Sequence, residues 1–206
     1  MFVGTTGFGK TYLAAHALEE RRYVVVHDAK RTFREKEWID ERWTVCETVN
    51  DAIKAKTNRI CYSPNRFELR DEETQEKFWE WILRRGHTTT LIDEMTLVAK
   101  GRYMPMALMD NYATGREHGN EILACTQQPV EVPNLVFTQS RSYYVFYCAL
   151  GSHRDKIASF VPIDPDAIAN LEERQYYLYR DTWKAPIGPC ILEEDGAEEE
   201  EPAPAA

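Results

Sequence analysis

Disulfides, metal centres and membrane spans all find little support in this sequence. Its five cysteines, Cys46, Cys61, Cys125, Cys148 and Cys190, are scattered and odd in number, and no two form a C-x-x-C pair. That usage suits reduced thiols in a cytosolic protein and argues against a zinc ribbon or a disulfide framework. His16, His27, His87, His118 and His153 show no metal-ligand spacing. No apolar run approaches the roughly 18 residues that cross a bilayer. A glycine-rich motif begins at Gly4 and leaves no room for a secretory leader, so a soluble, intracellular protein without a membrane span is expected. Internal repeats are absent. Positive charge is also short, with a net charge of −9. Seven of the acids, Glu193, Glu194, Asp195 and Glu198 to Glu201, lie in a Pro/Ala/Glu tail, so the remainder carries a net −2. The tail, residues 193–206, has no apolar periodicity and is expected to be disordered. A near-neutral body can still carry a local basic surface, so charge does not exclude a polyanionic partner. Residues 1–192 are expected to form one domain, able to bury about two-thirds or more of the surface of its extended chain.

What is present is concentrated near the start. Gly4-Thr5-Thr6-Gly7-Phe8-Gly9-Lys10-Thr11 fits the pattern G-x-x-x-x-G-K-[ST] in full. A loop that holds a nucleoside triphosphate must bring convergent backbone N–H groups close to a concentrated anion, and Gly4, Gly7 and Gly9 allow the backbone conformations this needs. Lys10 is expected to reach the β- and γ-phosphates, Thr11 to ligate Mg²⁺, and a helix over Thr11–Arg22 to point its positive end at the anion. The plainer alternative is a glycine-rich turn before an ordinary helix, which does not require all four fixed positions to match. The strand expected before the loop has only Met1-Phe2-Val3, so it is either very short or begins upstream.

Downstream, β-branched runs alternate with helical patterns. Tyr23–Asp28 reads as a buried parallel strand, and Asp28, Lys30 and Arg31 follow where it opens into a loop. They could touch a ligand, but the plainest assignment is a solvated strand end. Residues 32–58 are charged, with a short helix over Val49–Ala55, and Arg59–Ser63 reads as a strand stopped by Pro64. In Glu72–Arg85, Phe78, Trp81 and Ile82 share one side and Glu76, Lys77, Glu80 and Arg84 the other, which predicts an amphipathic helix ended by Gly86. Thr88–Glu94 is an apolar strand running into two carboxylates. After a phosphate loop that pattern marks Asp93 as a Mg²⁺ ligand, usually through water, and Glu94 as the group that polarises an attacking water. A water-polarising glutamate favours hydrolysis over transfer to an acceptor. Tyr103–Glu117 reads as a helix with Met104, Leu108 and Tyr112 in the core. A strand from Glu121 ends at Gln127-Gln128-Pro129, where the Gln127 amide can sense a γ-phosphate; a turn of no further weight is the alternative. The aromatics of Ser142–Leu150 could stack on bases, but they suit a core strand covered on both faces. Helices are expected over Ser152–Phe160 and Asp164–Leu171, then a late antiparallel edge strand over Gln175–Arg180.

The phosphate loop, Leu91-Ile-Asp-Glu94, Arg116-Glu-His-Gly119 and Thr126-Gln-Gln-Pro129 together resemble the FtsK/HerA superfamily of DNA-pumping ATPases. In size the chain resembles the genome-packaging ATPases of tailless double-stranded DNA viruses with an internal membrane. The resemblance runs from residue 4 to near residue 150. It implies a RecA-like P-loop NTPase fold, α/β, with a mainly parallel central sheet flanked by helices and an added late antiparallel strand. It implies ATP and Mg²⁺ as cofactors and Lys10, Glu94, Gln127 and Arg116 as catalytic residues, Gln127 as the sensor and Arg116 acting on a neighbouring subunit's nucleotide. The implied function is ATP-driven translocation of double-stranded DNA into a viral capsid by a homo-oligomeric ring, pentameric or hexameric, working with capsid or vertex proteins in the host cytoplasm or on the virion. Arg116 has a plainer reading, a cation satisfying carbonyls at a helix end, with Arg102, Arg141 and Arg154 as substitutes. Two other functions stay open. A small-molecule phosphotransferase for nucleosides or nucleotides would need an arginine-rich lid and an acceptor pocket. An assembly or export ATPase resembling those of filamentous phages usually carries a membrane span.

Overall fold

The computed structural model describes residues 1–101 and 103–192; the acidic tail, with its expected disorder, and Arg102 lie outside the described residues. Among the described residues nine strands share one sheet: β1 (Phe2–Val3), β2 (Val24–His27), β3 (Trp43–Cys46), β4 (Arg59–Tyr62), β5 (Thr89–Ile92), β6 (Glu121–Thr126), β7 (Ser142–Phe146), β8 (Gln175–Arg180) and β9 (Ile187–Ile191). Their order is β3-β4-β2-β5-β6-β1-β7-β8-β9. All pairings from β3 to β7 are parallel, and β8 and β9 are added antiparallel. The expected mainly parallel α/β sheet with a late antiparallel addition is the one observed.

Parallel strands covered on both faces must be apolar throughout, because neither face meets water. Alternate residues here feed two cores. Val25, Ile60 and Ile92 join Phe78, Trp79 and Ile82 of the helix Glu72–Arg85, with Leu108 of the helix Met106–Thr114. Val24, Val26, Cys61 and Leu91 join Ala14 and Ala15 of the helix Lys10–His16 on the other side. β1 is only two residues long, yet it is wedged between β6 and β7, with Phe2 opposite Cys125 and Tyr144. That position fixes the origin of the loop that follows it.

Several boundaries differ from expectation. The first helix ends at His16 rather than Arg22, and the chain continues through i→i+3 bonds from Leu18 and Glu19 that tighten its end. β3 was hidden in a charged stretch because only Cys46 of its four residues is buried. In the helix Glu72–Arg85, Trp79 is fully buried, whereas Trp81 is only partly so. The strand from Ser142 stops at Phe146, and the helix predicted from Tyr103 begins at Met106 and gives way to a 3-10 turn over Gly115–His118. β8 is not an edge, since β9 covers it; Pro189 within that run argues for a sheet edge, where β9 indeed lies. No described helix is long and apolar enough to cross a membrane.

Candidate active site

Adjacent parallel strands bring their carboxyl ends together, and the order β2-β5-β6-β1-β7 places four sequence-predicted segments side by side. The phosphate loop leaves β1 and is tied to both neighbours: Gly4 N donates to Thr126 O at 3.2 Å and Thr5 N to Tyr147 O at 2.7 Å. Phe8 stacks on Tyr147 with ring centroids 4.8 Å apart. Gly4 has φ +151°, and a Cβ there would lie 2.6 Å from Phe146 Cβ, so no larger residue fits. Gly9, at φ +99°, turns the chain into the helix Lys10–His16 and lies under Leu192. Lys10 is buried and its Nζ donates to Thr5 O at 2.6 Å. Burial lowers its pKa below the usual lysine range, a sign of the dry environment in which a cation acts strongly on an anion.

Asp93 and Glu94 leave β5 beside the loop, and both are buried. Thr11 Oγ1 donates to Asp93 Oδ1 at 3.2 Å, and Asp93 Oδ2 has no hydrogen-bond partner among the described residues. Burial raises the Asp93 pKa, with Lys30 opposing. A hydroxyl and a carboxylate oxygen held together in this way suit a hard cation such as Mg²⁺, which takes one or two protein oxygens and completes its shell with phosphates and water. Among the described residues there is no cluster of three His, Cys, Asp or Glu that would hold a metal independently of a substrate. Glu94 Oε1 accepts from Thr96 Oγ1 at 3.0 Å and from Gln127 N at 3.4 Å. Thr6 Oγ1 donates to Gln127 Oε1 at 2.6 Å. Gln127 therefore links the glutamate to the tip of the phosphate loop.

Two residues were misjudged at the end of β2. Asp28 is not solvated: fully buried, it accepts from the backbone N–H of Thr32, Phe33 and Arg34 and from Ser63 Oγ. This turn holds Arg31 at φ +61°, a strained conformation for a non-glycine residue. Lys30, just before it, is directed over the carboxylate pair, with Nζ 3.5 Å from Glu94 Oε2 and 3.7 Å from Asp93 Oδ2. The available signal was a lysine at a strand end; what was missing was the adjacency of β2 and β5. Arg31 instead pairs with Glu47.

Arg116 is not brought into this group. It sits in the turn Gly115–His118 ahead of β6, at the amino-terminal end of the sheet, with Nη2 donating to Gln139 Oε1 at 2.8 Å. The six residues of β6 separate it from Gln127 by about 20 Å at the usual strand rise. Arg141 shares that end, before β7. Arg154 lies at the nucleotide end, where its Nη1 is engaged by the carbonyls of Cys148 and Ala149.

The phosphate loop between β1 and its helix, with a carboxylate pair one strand beyond β6, defines the fold as that of the RecA-like P-loop ATPases. Among solved structures, the chain is similar to the genome packaging NTPase B204 from Sulfolobus turreted icosahedral virus 2 in complex with AMPPCP, at 17% identity over 87% of this chain and 90% of that one, with a TM-score of 0.72. It is also similar to VirB4 of Thermoanaerobacter pseudethanolicus, at 9% identity over 94% and 89% of the two chains and a TM-score of 0.66. The bacterial conjugative coupling protein TrwB gives 10% identity, 87% and 81% coverage and a TM-score of 0.61. At such identities the likeness is one of fold, and in fold the expected resemblance to FtsK/HerA-type ATPases is borne out. No protein-family model and no curated protein matches the chain.

Proposed function

We propose that this chain is an ATP hydrolase that translocates double-stranded DNA, packaging a viral genome as part of a homo-oligomeric ring. The observation that carries the proposal is the closed set of contacts from Thr11 to Asp93 and from Glu94 through Gln127 to Thr6, which couples a carboxylate pair to an intact phosphate loop. Backbone N–H groups of Gly4 to Thr11 would hold the phosphates, with Lys10 neutralising the β- and γ-groups. Thr11 and Asp93 would hold Mg²⁺, which supplies charge neutralisation at the phosphates. Glu94, held by Thr96, Gln127 and Lys30, would polarise the attacking water, and Gln127 would report the γ-phosphate to the loop tip. Similarity to a packaging NTPase supports the DNA partner, and with it capsid or vertex proteins as further partners in the host cytoplasm or on the virion. Residues 1–192 would act as the motor domain.

The test is the steady-state ATPase rate of the parent and of Glu94→Gln, with and without duplex DNA. The parent should hydrolyse ATP faster on duplex DNA. Glu94→Gln should bind ATP but lose on the order of 10²-fold or more in rate. A parental rate in Glu94→Gln would overturn the assignment of the base, and indifference of the parent to DNA would overturn the translocase reading.

A further inference from the structure

Lys10 is a buried cation without a carboxylate of its own. It is 5% exposed, its Nζ donates to Thr5 O, and it forms no ion pair among the described residues. The two acids of the site are committed elsewhere, Asp93 to Thr11 and Lys30, and Glu94 to Thr96, Gln127 and Lys30. A charge held out of water without a counter-ion is costly, so an anion is wanted beside Lys10 between nucleotides as well as during binding.

The end of β9 delivers acids to the same loop. Leu192 N donates to Arg174 O at 2.9 Å, and the Leu192 side chain is buried with Phe2 and Phe146 and rests on Gly9, one residue before Lys10. Directly after it come Glu193, Glu194 and Asp195, with Glu198 to Glu201 a few residues further on. Whatever path the chain takes, three residues span at most about 11 Å, so the first three acids stay within roughly a Debye length, about 8–10 Å, of Leu192 and the loop beneath it. Groups tethered this closely are presented to the loop at a local concentration in the millimolar range. Convergent backbone N–H groups and a lysine accept carboxylate oxygens by the same hydrogen bonds that they offer to phosphate.

We propose that the mouth of the phosphate loop is also the docking surface for this chain's own acidic segment, whose carboxylates pair with Lys10 between nucleotides and compete with the triphosphate. The proposal rests on the reading of Gly4 to Thr11 as a nucleotide site and adds a tethered competitor that raises the ATP concentration the chain needs. The test is equilibrium binding of AMP, ADP and a non-hydrolysable ATP analogue, without DNA. Three chains are compared: the parent, a chain ending at Leu192, and a full-length chain carrying Glu193→Gln, Glu194→Gln, Asp195→Asn and Glu→Gln at positions 198 to 201. At about 0.1 M salt both altered chains should bind the analogue about threefold to tenfold more tightly than the parent, with a smaller gain for ADP and the smallest for AMP. At about 1 M salt, where the Debye length is about 3 Å, the gain should vanish. A peptide of residues 193–206, added at millimolar concentration and matched ionic strength, should weaken analogue binding by the chain ending at Leu192. Equal affinities in the three chains at low salt would overturn the proposal, as would a gain on truncation that the neutralised segment does not reproduce, or a peptide without effect. Loss of analogue binding by all three chains would overturn the nucleotide site and this proposal with it, whereas indifference of hydrolysis to DNA bears on the translocase reading alone.

Discussion

Lys30 shows how a single side chain gains its role from its surroundings. A cation 3.5 Å from Glu94 and 3.7 Å from Asp93 keeps two buried, adjacent carboxylates from repelling one another. It acts through Glu94, so it is a positioning residue. Lys30→Met should therefore lower kcat by on the order of 10-fold to 10²-fold while changing the KM for ATP little, since the phosphate loop is untouched. Lys30→Arg should recover part of the loss. Equal kcat values for Lys30→Met and the parent would remove Lys30 from the mechanism. His27 works differently. It is fully buried, stacked on Trp79, with Nε2 at 3.2 Å from Gln75 Oε1 and Nδ1 without a hydrogen-bond partner among the described residues. Burial pushes its pKa down from 6.5 to about 4. The unfolded chain then binds a proton that the fold refuses, so stability falls as pH drops from 6.5 toward 4, by up to about 3 kcal/mol. Denaturant midpoints at pH 7 and pH 4.5, compared with those of His27→Gln, should show a smaller pH dependence in the variant.

Among the elements, β9 has a consequence beyond completing the sheet. It is followed directly by Leu192, which is buried with Phe2 and Phe146 and rests on Gly9 of the phosphate loop. The last described residue thus ties the sheet's far edge to the nucleotide end. Leu192→Ala should cost about 2–4 kcal/mol and weaken ATP binding through the loosened loop, as seen in thermal melts and nucleotide titrations. Removing residues 193–206 while keeping Leu192 should leave the melting temperature unchanged and tighten DNA binding by removing seven negative charges. A large drop in melting temperature on truncation would show that the tail packs against the domain. The helix Glu72–Arg85 was readable to the residue, because Asp71 caps its start, Gly86 ends it and its buried positions recur at helical spacing. β3 and β9 were not, since exposed edges carry neither a continuous apolar run nor a clean alternation.

At the scale of the whole molecule, the placement of Arg116 allows a role at a nucleotide only in another copy, since its own phosphate loop lies across the height of the sheet. Arg116→Ala should then be inactive alone and recover some ATPase when mixed with Lys10→Ala subunits, whose arginine is intact. A transition-state arginine is worth on the order of 10³ to 10⁵ in rate, so even partial recovery should be measurable. No recovery in mixtures shown to co-assemble would count against the trans role.

The sequence by itself determined the loop and the chemistry it can hold. Gly4 to Thr11 are contiguous, and their function depends on backbone freedom and residue type, which are local properties. It also determined that the strand before Asp93 and Glu94 is buried, because an apolar β-branched run can stand nowhere else. The tertiary structure alone decided which strand ends meet. Strand order is a long-range packing outcome with no local signature, and it placed Lys30 against the carboxylates, drew Asp28 into the core and left Arg116 at the far end of the sheet, beside three other arginines.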